Sequence, residues 1–217
     1  MQLTATYKQR RTLRLGRLLT ILGSLLVIAL VSGFVWMTRS PIDLGQAGHA
    51  AKADLTKAWQ AGEVVALVRH AERCDRSDNL CLGPADGITQ AGNDSAALVG
   101  KGFVALGMQQ AQVFTSPLTR TVQTARAMFG QDAAAQIWLE SCGASLRNDV
   151  VAHKVAQRNM VLVTHSGCIS DFEKQTGFPH AIAADYGSTL FVRIDDKGQL
   201  KVLGILNADA WSQLNSH

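Results

Sequence analysis

At 217 residues the chain is long enough for one well-buried domain and too short for two comfortable ones, and a hydrophobic content of 47% with 18% charged residues argues against disorder. The formal charge of +4 belongs to the N-terminus, where Lys8, Arg10, Arg11, Arg14, Arg17 and Arg39 supply 6 of the 21 basic residues and residues 1–40 hold no acid. The rest is near neutral, with 15 basic against 17 acidic residues, which excludes a general nucleic-acid surface.

The first predicted element is apolar. No charge lies between Arg17 and Arg39, and Leu18–Thr38 contains LLTILGSLLVIALVSGFVWM. At ~1.5 Å per residue such a helix reaches roughly 30 Å, so a transmembrane anchor is expected. The preceding basic residues place residues 1–17 in the cytoplasm and the remainder outside, with Trp36 at the far interface. The partner is then the inner membrane and the folded domain is periplasmic. The alternative is a cleaved signal peptide and a soluble periplasmic domain.

Residues 39–58 read as a tether that turns helical near Ala50–Gln60, and 59–217 as the functional domain. Glu63–Val68, Ala111–Thr115 and Asn159–Thr164 are short apolar, β-branched runs of the kind that form buried parallel strands. Ala133–Leu139 is a further short strand. Helices are predicted over Thr89–Phe103 with Thr89 as N-cap, over Pro117–Phe129, over Asp149–Gln157 and over Cys168–Thr176. Ser188–Ile194 and Gln199–Leu206 form a hairpin across Asp-Asp-Lys-Gly. The alternation predicts a three-layer α/β/α sandwich around a mostly parallel sheet, preceded by one N-terminal transmembrane helix.

Ligands bind at the carboxyl ends of strands in such sheets. One strand ends in Arg69-His70-Ala71-Glu72, one in Thr115-Ser116-Pro117 with Arg120 a turn later, and one in His165-Ser166-Gly167. Taken singly, each is as well explained by a structural histidine or a solvated arginine. Together they bring two arginines and two histidines to one rim, and a guanidinium fork matches phosphate oxygens.

These segments also carry a resemblance. Leu67-Val68-Arg69-His70-Ala71-Glu72, Ile88-Thr89-Gln90-Ala91-Gly92, the run from Phe114 to Ala125 and Val163-Thr164-His165-Ser166-Gly167 resemble, in order, motifs of the histidine phosphatase (phosphoglycerate-mutase-like) superfamily. A narrower resemblance, in RHAERCDRSDNLCL, is to its exported branch acting on heptose phosphate of lipopolysaccharide core. The resemblance implies a metal-independent phosphomonoesterase without a cofactor, in which His70 takes the phosphoryl group. Arg69, Arg120 and His165 hold its oxygens, with Ser116 beside them. Glu140, in a segment similar to the family's acid-bearing loop with one residue fewer before its glycine, is the expected proton donor; Glu72 and Asp149 are alternatives. Arg73 and Arg76 are expected to grip a second anionic group of a phosphorylated glycan, or else to be solvated. A small phosphoester is the alternative substrate, and a non-catalytic phosphosugar-binding protein the alternative class.

Four cysteines in an exported domain fit disulfides better than zinc. Cys74 and Cys81 bracket the loop after His70, while Cys142 follows Glu140 and Cys168 follows His165, so Cys74–Cys81 and Cys142–Cys168 are expected. Three pairings are possible, and sequence does not choose among them. His49, His153, His180 and His217 are given no chemistry.

Overall fold

A computed structural model describes the backbone of residues 3–37 and 39–214, with the side chains of all of these except 3–16, 18, 36 and 37. The chain divides into two units, Met1–Arg39 and Ser40–His217.

The first unit is the helix α1 (Leu3–Met37). Here the expected membrane span is corrected: among the described residues no helix is long and apolar enough to cross a membrane. Gly23, Ser24, Ser32 and Gly33 interrupt the apolar side chains of its described stretch. Leu18, Trp36, Thr38, Lys8, Arg10, Arg11 and Arg14 lie outside the described side chains. The inner-membrane partner and the single-pass placement that rested on this span fall with it.

In the second unit the elements follow as α2 (His49–Gln60), β1 (Val64–Arg69), α3 (Gln90–Leu106), β2 (Ala111–Thr115), α4 (Thr119–Phe129) and β3 (Ala134–Ala135). They continue as α5 (Leu146–His153), β4 (Asn159–Thr164), α6 (Ser166–Gln175), β5 (Thr189–Ile194), β6 (Leu200–Leu206) and α7 (Trp211–Leu214). The sheet order is β3-β2-β4-β1-β5-β6, parallel from β3 to β1, with β5 antiparallel to both of its neighbours.

The apolar runs form strands because both of their faces are buried. Val64, Ala66, Val68, Val161 and Val163 point to a core shared with α2, α3, α4 and α7, where Trp59, Phe103, Met128 and Trp211 pack. The alternate residues Val65, Leu67, Met160 and Leu162 point to the opposite core with Leu146, Val150, Ile169 and Phe172 of α5 and α6. Period-two alternation thus divides one sheet between two helical layers. Thr89 caps α3, its hydroxyl accepting from the Gly92 N–H at 2.9 Å. Residues 42–44, read from sequence as part of a tether, lie along β6: Leu44 is fully buried and its N–H donates to the Ile205 carbonyl at 2.8 Å.

Two expectations shift at the edge of the sheet. Ala133–Leu139 gives only the two-residue strand β3, whose side chains are exposed, followed by a 3-10 turn over Ile137–Leu139. The helix predicted over Asp149–Gln157 begins earlier, at Leu146, and stops at His153.

Candidate active site

β1, β2 and β4 run side by side, so Arg69, Ser116 and His165 leave the sheet at one rim. β5 runs the other way, and its entering residues, Ala184–Ser188, therefore reach the same rim. Gly187 (φ 72°) makes that turn, and its N–H donates to the Arg69 carbonyl at 3.1 Å.

His70 is 4% exposed. Its Nδ1 lies 2.8 Å from the Ala71 carbonyl oxygen. A carbonyl only accepts, so Nδ1 carries the proton and Nε2 keeps a free lone pair. Burial, reinforced by the charges of Arg120 and Arg69, pushes the His70 pKa down to about 3 against the support of the Ala71 hydrogen bond. The ring is neutral at physiological pH, as a nucleophile requires. The backbone around it is pinned: the His70 N–H donates to the Thr164 carbonyl at 2.9 Å, and the Ala71 N–H to the Thr124 hydroxyl at 2.9 Å.

His165 stands beside it, with ring centroids 5.4 Å apart. Its Nδ1 faces the Arg120 guanidinium at 3.4 Å, a donor, and its Nε2 lies 3.0 Å from the Ser116 hydroxyl. These partners place the His165 proton on Nε2. Burial and the Arg120 charge lower its pKa to about 4. Ser116 is fully buried and acts here as the rest for His165.

Arg69 donates through Nη1 to the Ala184 carbonyl at 2.5 Å and lies over the Tyr186 ring, 3.9 Å from its centroid. Burial lowers the pKa of Arg69 and of Arg120 from the usual arginine value, but a guanidinium stays protonated in proteins. The Nε–H of each is buried without a hydrogen-bond acceptor. Two guanidinium cations beside a neutral imidazole make this rim a candidate anion cradle.

The other expected residues lie around this cradle with differing engagement. Arg73 is ion-paired to Asp75 in a bidentate fork, and its charge helps hold down the His165 pKa. Arg76 is exposed and acts electrostatically on Arg69 and Arg120. Glu72 accepts from the Thr89 hydroxyl (2.6 Å), the Asn79 amide (2.9 Å) and the Ser77 hydroxyl (3.0 Å), and the Thr89 bond leads in lowering its pKa. It is an anion that shapes the 72–89 loop, unsuited to donating a proton. Asp149 sits in the first turn of α5.

Glu140 is half-buried, and among the described residues its carboxylate makes no hydrogen bond or ion pair. Its loop is fixed next to β4: the Thr164 hydroxyl donates to the Leu139 carbonyl at 2.9 Å. Disulfides join Cys74 to Cys81 and Cys142 to Cys168, each with Cα atoms 5.2 Å apart. The second ties the Glu140 loop to α6, the helix that opens after His165. Tyr186 escaped the sequence reading. Its signal was the antiparallel entry of β5, which brings an aromatic two residues before a strand to the carboxyl rim.

Comparison with known proteins agrees with this geometry. Residues 65–140 match the histidine phosphatase superfamily (branch 1). The lipopolysaccharide core heptose(II)-phosphate phosphatase of Salmonella newport (strain SL254) is 35% identical over 161 residues, covering 72% of this chain and 77% of that protein. Among solved structures, the protein histidine phosphatase SixA complexed with tungstate superposes with a TM-score of 0.53 at 16% identity, over 67% of this chain and 97% of that one. The phosphoglycerate mutase from Bacillus anthracis str. Sterne gives 0.52 at 14%, over 72% and 99%. The two structures share the fold, and the Salmonella relative is near enough to carry the family: the chain belongs to the histidine phosphatase superfamily (branch 1).

Proposed function

We propose that the chain hydrolyses a phosphomonoester through a phosphohistidine on His70, and that its substrate is a heptose phosphate of lipopolysaccharide core. The chemistry is carried by one observation: a buried, neutral His70 with free Nε2 stands among two arginines whose Nε–H donors have no acceptor. The substrate reading rests on the 35% identity to the Salmonella heptose(II)-phosphate phosphatase.

In the first step Nε2 attacks phosphorus, the P–N bond forms and the P–O bond to the sugar breaks. Arg69, Arg120 and His165 bind the non-bridging oxygens as charge redistributes. His165 gains a role once a phosphate dianion offsets Arg120: its Nδ1 takes up a proton from solvent as the substrate binds and donates to a phosphoryl oxygen. Glu140 protonates the leaving sugar oxygen. In the second step it accepts a proton from water, which attacks phosphorus, breaks the P–N bond and restores His70. Arg73 and Arg76, on the rim, grip a further anionic group of the glycan. Thr124 and the Ala71 carbonyl hold His70 in its tautomer and orientation. The two disulfides fit an oxidising compartment.

The test is mass spectrometry of phosphorylated lipopolysaccharide core incubated with the chain and with its His70→Ala variant. Loss of one phosphate with the wild type alone is expected. An untouched core, alongside hydrolysis of an aryl phosphate, would remove the heptose reading and leave the phosphatase chemistry.

A further inference from the structure

β4 is apolar from Met160 to Val163 and buried at every position, yet it ends in Thr164, a fully buried residue with a hydroxyl to satisfy. Valine has nearly the same shape and would fill the place without a polar atom, so the hydroxyl calls for a reason. Period-two alternation turns Thr164 to the face of Met160 and Leu162, where Leu139, Cys142 and Cys168 pack. There its hydroxyl donates to the Leu139 carbonyl at 2.9 Å. The Cys168 sulfur lies 3.6 Å from the same oxygen, and the Cys142 sulfur 4.0 Å from the hydroxyl. Sulfurs joined in a disulfide carry no proton, so Thr164 is the donor in this cluster.

Three groups of the proposed mechanism meet at Thr164. Its carbonyl accepts from the His70 N–H at 2.9 Å, its hydroxyl holds the residue before Glu140, and His165 follows it in the chain. Among the described residues the Glu140 carboxylate makes no hydrogen bond or ion pair, so its backbone sets its place. Other hydrogen bonds tie this loop to neighbouring elements: the Gln136 N–H donates to the Thr115 carbonyl at 2.7 Å, and the Gln175 amide to the Gly143 carbonyl at 2.8 Å. The bond at Leu139 is the one adjacent to Glu140.

We propose that Thr164 is a positioning residue for protonation of the leaving group: its hydroxyl fixes the Glu140 backbone relative to His70 and His165. This rests on the reading of Glu140 as the proton donor. Thr164 is buried beneath the rim and acts through Glu140, without touching substrate. Proton donation counts in proportion to the basicity of the departing oxygen, since a nitrophenolate leaves unaided and an alkoxide does not.

The test uses the full chain and a series of phosphomonoesters from 4-nitrophenyl to primary alkyl phosphate. The logarithm of kcat/KM, which reports the transfer to His70, is plotted against the pKa of the leaving group. Thr164→Val should steepen the slope, raising the aryl-to-alkyl ratio of kcat/KM about 10-fold, within the range for a small misplacement of a catalytic group. Thr164→Ser keeps the hydroxyl and should restore the wild-type slope. Thr164→Ala makes the same test without setting a methyl against the Leu139 carbonyl, which keeps the question decidable if Thr164→Val folds poorly. Glu140→Gln should steepen the slope further and separates the two readings. A wild-type slope in Glu140→Gln would remove Glu140 as the acid, and this inference with it. A steep slope in Glu140→Gln beside a wild-type slope in Thr164→Val or Thr164→Ala, or a Thr164→Ser slope as steep as theirs, would overturn the positioning role alone.

Discussion

Replacing His70 by Gln removes an imidazole that the folded chain keeps neutral and the unfolded chain does not. The folded pKa is about 3 against an ordinary value of 6.5. Above pH 6.5 both states are neutral and the group has no effect on stability. As pH falls below 6.5 the unfolded chain takes up a proton that folded His70 refuses until about pH 3, so stability is lost across that window. At about pH 4.5 the gap is roughly two units, worth about 2.7 kcal/mol at ~1.4 kcal/mol per unit. His165, with a pKa of about 4, adds a loss of similar size. Urea unfolding, read through the buried Trp59 and Trp211, measures this directly at about pH 7 and about pH 4.5. The wild type should lose about 2–3 kcal/mol more than His70→Gln between the two conditions. Equal losses would show that His70 is not held neutral, and the nucleophile assignment would lose its electrostatic basis.

Other perturbations probe the surrounding parts. Arg120→Ala should lower kcat/KM for an aryl phosphate by about 10²–10³, the scale of removing one preorganised donor, with little change in thermal stability. Tyr186→Phe keeps the ring under Arg69 and should retain most activity, whereas Tyr186→Ala should cost roughly 10-fold in kcat/KM; equal effects would deny the stacking role. Cys142→Ser with Cys168→Ser opens a loop of sequence separation 26 and should cost about 3.5 kcal/mol in unfolding free energy, against about 2.4 kcal/mol for the shorter Cys74–Cys81 loop.

The parts of the site legible in the sequence were those written on continuous apolar strands. Val64–Val68, Ala111–Thr115 and Asn159–Thr164 announce themselves by composition, and Arg69, Ser116 and His165 follow by position. Thr89 was legible because a cap is a local device. What escaped depended on distant contacts. Tyr186 joins the site only because β5 pairs antiparallel with β1, and Leu44 is buried only by β6. The edge strand β3 shrank to two residues because one neighbour and an exposed surface give it little to bury. The apolar run from Leu18 read as a membrane span from composition, whereas among the described residues no helix is long and apolar enough to cross a membrane. Nothing in the sequence sets Glu173 apart, and its burial follows wholly from packing.

The central claim is that His70 carries the phosphoryl group. Rapid acid-free quenching during turnover of a phosphomonoester, followed by peptide mass spectrometry, tests it most directly. The account predicts an acid-labile phosphate on the peptide holding His70, absent from His70→Ala and longer-lived in Glu140→Gln. Turnover without phosphate on that peptide, or with phosphate on a different residue, would contradict it.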